Sequence, residues 1–323
     1  MAEPSRILRV ILDTDLAMGA PGSDIDDGFA LALAIADPSI DLELVTTVNG
    51  NTDVESATLL TLELLARLGR EDIPVVRGAA APLLRPDLAR SASEQVRSRY
   101  GSRAPVPGHA AVEIVRRVMA SPGEITLVAI GPLTNLAAAL ALEPRLATAV
   151  REIVVMGGVF LAHTNHQVMP GEFNIWVDPE AASAVLHSGA PLRFVGLDVT
   201  LQVRMSREDG QRLVDSGRPF ARFAGECTLA WIDHLRDTNP GDPAAAGSCA
   251  MHDPLALAAV SQPGLLTWRD AHVGVVTGPS IARGVTVADL LTSASPPEPN
   301  CRIAVGVDVA AFTELFVARI SQL

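Results

Sequence analysis

The side chains best suited to chemistry in this chain are acidic, and they come in short clusters. Asp13-Thr14-Asp15 follows an apolar run, and beyond the Leu16–Ser23 stretch comes Asp24-Ile25-Asp26-Asp27. So many carboxylates close together repel one another unless they share something positive, and carboxylate oxygens are natural ligands of a hard divalent cation such as Ca²⁺ or Mg²⁺. Singly, each aspartate would serve as a turn or helix cap; together, after a buried strand, they favour a metal. Further polar clusters are Asn49-Gly50-Asn51, Gly131-Pro132-Leu133-Thr134-Asn135, Met156-Gly157-Gly158 reaching on to Glu172-Phe173-Asn174, and His252-Asp253-Pro254. Each alone is ordinary turn or cap chemistry. Converging on one pocket, such amides and carboxylates are what an array of sugar hydroxyls needs.

Convergence depends on the elements that carry the clusters. Apolar, β-branched runs predict strands at Ile7–Leu12, Leu42–Val48, Pro74–Val76, Ile125–Ile130, Ile153–Met156 and Leu192–Val195. Helical patterns alternate with them at Gly28–Ala36, Val54–Leu68, Ala110–Met119, Leu133–Leu142, Pro179–His187 and Ser206–Asp215. Pro82–Pro107 reads as a polar, Arg-rich stretch. Beyond Pro219 the pattern gives a helix through Phe220–Leu235, a Pro/Gly/Asp-rich loop over Asp237–Ser248, a helix from Asp253 and a β-rich tail closed by Val309–Ile320. This rhythm predicts an α/β fold of Rossmann-like type: a mostly parallel central sheet flanked by helices on both faces, with the site at the carboxyl ends of the strands. The polar clusters fall at those ends or in the loops after them. With no internal repeat and no composition break, residues 1–323 are expected to form a single domain.

Composition narrows the function. The 323 residues are 48% hydrophobic and 19% charged, which excludes a disordered chain, and the formal charge of −12 disfavours a nucleic-acid binder. All basic residues are Arg; the absence of lysine removes P-loop, Schiff-base and lysine-base chemistries. Cys227, Cys249 and Cys301 have neither zinc-site nor redox-pair spacing and read as buried thiols. No stretch is apolar for long enough to span a membrane and no export signal is recognisable, so a cytoplasmic protein is expected.

Taken in order, Asp13-Thr14-Asp15, Asp26-Asp27, Thr46-Thr47-Val48 with Gly50-Asn51, Gly131-Pro132-Leu133-Thr134-Asn135, Met156-Gly157-Gly158, Glu172-Phe173-Asn174 with Asp178-Pro179-Glu180-Ala181-Ala182, and His252-Asp253-Pro254 resemble the inosine-uridine-preferring nucleoside hydrolases across nearly the whole chain. The resemblance implies the nucleoside hydrolase fold and cleavage of the N-glycosidic bond of ribonucleosides to free base and ribose. It implies a Ca²⁺ ion held by Asp15, Asp27, the Ile130 carbonyl and Asp253, with Asp15 also the general base toward a Ca-bound water. Asp26, Asn51, Glu172 and Asn174 would bind the ribose, with Met156 beside the ring, and Asp253 would meet both metal and sugar. His252 matches a histidine that protonates the departing base, while Trp231, His234, His163 and His166 are candidates to contact the base. The resemblance further implies a homodimer or homotetramer acting on a small-molecule ribonucleoside, with neither nucleic acid nor membrane as partner.

In two places the chain departs from the family's pattern. The Leu16–Ser23 loop is longer than usual and adds Asp24, so either Asp24 or Asp26 could meet the ribose, and the loop is expected to bulge out and return. The His-Gly motif of several pyrimidine-active members is absent; Arg97, Arg99 and Tyr100 stand in that segment. Two alternatives are set against this reading. A haloacid-dehalogenase-like phosphatase would use Asp13 as nucleophile and Asp15 as acid/base, but it wants a lysine. A non-catalytic calcium-dependent nucleoside- or ribose-binding protein would keep the pocket without turnover.

Overall fold

The computed structural model describes residues 7–164, 168–291 and 295–323. Among the described residues the strands are β1 (Leu8–Thr14), β2 (Ile40–Thr47), β3 (Val75–Arg77), β4 (Ile125–Ala129), β5 (Glu152–Met156), β6 (Leu192–Val195), β7 (Arg204–Ser206), β8 (Ser248–Ala250), β9 (Leu266–Val275), β10 (Thr286–Asp289) and β11 (Cys301–Val307). A nine-stranded sheet has the order β10-β9-β11-β6-β5-β4-β1-β2-β3. It is parallel from β3 across to β11, and only β9 and β10 add antiparallel pairings. β7 and β8 pair separately as a short antiparallel ribbon. This is the predicted α/β architecture.

Strand alternation divides the core. Val10 and Leu12 face one apolar layer with Phe29, Leu33 and Leu255; Ile11 faces the other with Leu127, Ile114 and Leu136. Helices therefore cover both faces, as buried parallel strands require. The direction of strand succession reverses between β1 and β4, creating a crevice at their carboxyl ends, where open α/β sheets bind ligands.

Several elements differ from expectation in informative ways. β1 runs on through Asp13 and Thr14, paired as far as Thr14↔Thr47 of β2. Polar residues after an apolar run read as loop, but here the strand keeps them because their side chains find buried partners. The Arg-rich segment contains the helix Glu94–Tyr100, capped by the Ser93 side chain on the Val96 N–H. The Leu16–Ser23 loop bulges only in its second half: Leu16, Ala17 and Met18 are buried because their apolar side chains join the core, and Gly19 (φ +103°) then turns the chain outward. Cys249 and Cys301 are buried as expected, whereas Cys227 is half-buried, and none is in a disulfide. No helix among the described residues is long and apolar enough to cross a membrane.

Candidate active site

Two helix N-termini and the end of β1 meet at the crevice. The helix Asp26–Ala36 places Asp26 and Asp27 in its first turn, and the helix His252–Ser261 does the same with Asp253. Positive helix ends favour carboxylates at these positions. Neither helix has a side-chain cap of its own; instead Asp26 Oδ2 accepts the Asp253 N–H at 3.1 Å, so one helix caps the other. Asp26, Asp27 and Asp253 are all buried, with one carboxylate oxygen from each lying within 4.8 Å of the others, a cluster that could hold a metal ion.

Asp15 stands beside this triplet, fully buried. Its Oδ2 accepts the Asn51 backbone N–H at 2.6 Å, while its Oδ1 is buried without a hydrogen-bond partner among the described residues. Asn51 also links Asp15 to Asp27, donating Nδ2 to Asp27 Oδ2 at 3.1 Å, and the Thr14 hydroxyl donates to Asp27 Oδ1. Gly50 is required here by close approach: a Cβ on it would sit 2.0 Å from Asp15 Oδ2. Burial pushes the Asp15 carboxyl up to about 7, with the Asp26 charge adding to the effect. Asp27 and Asp253 are also held well above the usual carboxylate range, first by burial and then by their acidic neighbours. A buried, all-oxygen set that resists ionisation by itself, with one orphaned carboxylate oxygen, fits a hard cation.

Above the cluster lies a cavity of about 610 Å³. Of the residues expected to contact substrate, Asp26, Asn51, Met156, Glu172, Asn174, Trp231, His252 and Asp253 line it, and so do Asp24 and Ile130, the latter expected as a metal ligand. Asp24 and Asp26 thus both reach the cavity, but only Asp26 joins the acidic triplet. Asn174 Nδ2 donates to the Ile130 and Met156 carbonyls at 3.0 and 3.2 Å, tying the ends of β4 and β5 together. Glu172 caps the helix Phe173–Val177, accepting the Asn174 and Ile175 N–H groups, and also accepts the Gly158 N–H. Much of its acceptor capacity is therefore used locally. Burial raises its carboxyl to about 7. His252 Nδ1 lies 2.7 Å from Thr200 Oγ1, and burial pushes its pKa down.

Two of the base-contact candidates lie elsewhere. His234 is exposed and outside the cavity lining; it stacks on Trp231 at 5.3 Å between ring centres because the two share a helix face at i, i+3. His163 is exposed and does not line the cavity, and His166 lies outside the described residues. Asp13 also stays out of the lining: its Oδ1 accepts Thr46 Oγ1 at 2.5 Å and Asn135 Nδ2 at 2.7 Å, behind the crevice. Asp15 and Asp27 likewise lie beneath the lining; what sets Asp13 apart is that it is held by Thr46 and Asn135 and not beside the acidic triplet.

Sequence reasoning did not single out Arg90, which lines the cavity, donates Nε to the Gly50 carbonyl at 3.1 Å and gives its backbone N–H to Asn49 Oδ1 at 2.7 Å. Its one signal was its place in the Arg-rich segment. Leu197 and Phe173 complete an apolar wall.

The chain matches the inosine-uridine preferring nucleoside hydrolase family over residues 10–314. It is 34% identical over 322 residues to the pyrimidine-specific ribonucleoside hydrolase RihA of Citrobacter koseri, covering 97% of this chain and 98% of that one. To the non-specific ribonucleoside hydrolase RihC of Salmonella newport it is 37% identical over 313 residues, 95% of each. Among solved structures, a plant nucleoside hydrolase superposes with a TM-score of 0.85 at 31% identity, covering 99% of this chain and 100% of the other. The purine-preferring ribonucleoside hydrolase from Gardnerella vaginalis gives 0.84 at 29% identity, covering 97% and 98%. With the crevice, its carboxylates and these likenesses in agreement, the chain belongs to the inosine-uridine preferring nucleoside hydrolase family and is an N-ribosyl hydrolase that cleaves the N-glycosidic bond of ribonucleosides.

Proposed function

We propose that Asp15 is the general base of this hydrolysis, set beside a Ca²⁺ site formed by Asp15, Asp27, Asp253 and the Ile130 carbonyl, with Asp26 completing the acidic floor. The observation that carries this reading is the asymmetry of Asp15: the Asn51 N–H fixes one oxygen, leaving the other buried and free to take a proton. Burial raises this carboxyl when no cation is beside it, and a bound cation would favour the ionised form that a base needs. When bound, the cation supplies positive charge that ionises the surrounding carboxylates, lowers the pKa of water and orders sugar hydroxyls. All-oxygen donors and a flexible coordination number favour Ca²⁺ over Mg²⁺.

Water displaces the base at C1′ through an oxocarbenium-like transition state. Asp26, Asn51, Asn174 and the remaining acceptor capacity of Glu172 hold the ribose hydroxyls, and Met156 lies along the ring. His252, oriented through Nδ1 by Thr200, protonates the leaving base from its other nitrogen. Trp231, Phe173 and Leu197 give the base apolar and aromatic walls, which stack on any base without selecting one. The chain acts as one domain on a small-molecule ribonucleoside. Its unpaired thiols suit the cytoplasm. We expect a homodimer or homotetramer: β10 ends the sheet as a short edge strand carrying exposed Val287, an edge that proteins commonly cover. The test is release of free base and ribose from a nucleoside panel by wild type and Asp15→Asn; equal rates would remove Asp15 from the chemistry.

A further inference from the structure

A second cavity, of about 260 Å³, adjoins the first. The two share Pro21, Gly22, Ser23 and Trp231 as a common wall, so the lengthened loop and the helix Pro219–Thr238 together divide them. The far side of this annex is built by Gln95, Arg99 and Tyr100 of the helix Glu94–Tyr100 and by Glu226 and Cys227. Tyr100 is only 4% exposed, and its hydroxyl is buried with no hydrogen-bond partner among the described residues. Native proteins rarely leave such a group unmet, and at the annex wall a phenol donor can be met by an acceptor atom of a molecule bound there.

The charge of the annex points the same way. Arg97, two residues earlier on the same helix, is paired with Glu55 and Glu94, whereas Arg99 has no carboxylate partner among the described residues and lies over the Tyr100 ring, 5.2 Å from its centre. Glu226, the annex's acid, is paired with Arg222 at 3.0 Å. Cys227, its thiol pushed up to about 12 by burial and the Glu226 charge, is a neutral wall. The unengaged charge is therefore cationic and the unmet group is a donor.

We propose that this annex is a subsite for an anionic, acceptor-rich substituent, a carboxylate, carried on the nucleobase of the ribonucleoside. The inference rests on the reading above, in which the ribose lies on the aspartate floor. The base then extends toward Trp231, and a substituent on it passes the Pro21–Ser23 rim to meet the Tyr100 hydroxyl and the Arg99 guanidinium.

The test compares kcat/KM within two pairs, uridine with 5-carboxymethyluridine and adenosine with N6-carboxymethyladenosine, together with the methyl ester of each acid. In at least one pair the acid is expected to exceed its parent by about tenfold, the scale of one charge-assisted contact. Tyr100→Phe, which removes only the unmet hydroxyl, and Arg99→Ala should each move that ratio toward one. Acid-to-parent ratios at or below one in both pairs overturn the subsite, as do esters cleaved as fast as the acids or a ratio that neither variant changes. If no nucleoside is cleaved, the hydrolase reading fails separately, and calorimetric affinities of the same pairs decide the annex: equal affinity for acid and parent overturns it.

Discussion

Asp13 and Asp15 are the same residue type two positions apart, yet β1 directs them into different chemistries. Asp13 turns toward Thr46 and Asn135 behind the crevice, and Asp15 toward Asn51 and the acidic triplet. Asp15→Asn should leave a folded protein, by circular dichroism, with turnover at least ~100-fold lower, the usual weight of a positioned base. Gly50→Ala should be nearly as damaging, roughly 100-fold in kcat/KM, because its Cβ would have to displace the Asp15 carboxylate. His252→Ala should lower the rate on nucleosides by about 100-fold but change 4-nitrophenyl riboside cleavage only a few-fold, since that leaving group departs without a proton. Equal losses on both substrates would take His252 out of the acid role. The sequence revealed the carboxylates and the histidine because chemistry depends on residue type. Residue type alone could not divide Asp13 from Asp15, which the family resemblance separated, nor exclude His234, whose i, i+3 spacing from Trp231 looks alike for a shared pocket and a shared outer face.

Two helix N-termini carrying aspartates, one capping the other through Asp26, sit among further buried acids from the end of β1 and the Glu172 cap, and these acids have a pH signature. Burial holds Asp13, Asp15 and Glu172 at about 7, against roughly 4 for carboxyls in an unfolded chain. Between about pH 4 and 7 the metal-free native state therefore binds more protons than the unfolded state, and its stability falls as pH rises through that window. In chelator the thermal midpoint should be higher near pH ~5 than near pH ~8, while added Ca²⁺, which needs ionised carboxylates, should stabilise more at the higher pH. A chelated protein that gains stability across this window would contradict the buried-carboxyl account. Glu113, pulled down to about 2 by Arg116, acts in a separate window, losing its contribution only as pH falls below the usual carboxylate range. The βα alternation was legible because buried strands and amphipathic helices have distinct periods. The helices Glu94–Tyr100 and Phe173–Val177 were not, because so few turns show no period, although their caps, Ser93 and Glu172, act locally on first-turn N–H groups.

At the scale of the molecule, the reversal of strand succession between β1 and β4 collects acids from the two ends of the chain, Asp15 and Asp253, into one crevice, leaving a net charge of −12 with its most crowded part indoors. The exposed edge at β10 argues for assembly, and light scattering should give a mass two or four times that of one chain; a single-chain mass would contradict the expected oligomer. Architecture and crevice were readable because clusters at strand ends must share one rim in a parallel sheet. The annex was not, since it arises where a lengthened loop meets two helices remote in sequence. The central claim is that these aspartates hold one hard cation on which ribose cleavage depends. Base release from a ribonucleoside by protein stripped with chelator tests it most directly: activity should vanish and return with Ca²⁺, and undiminished release from protein verified free of metal would contradict the account.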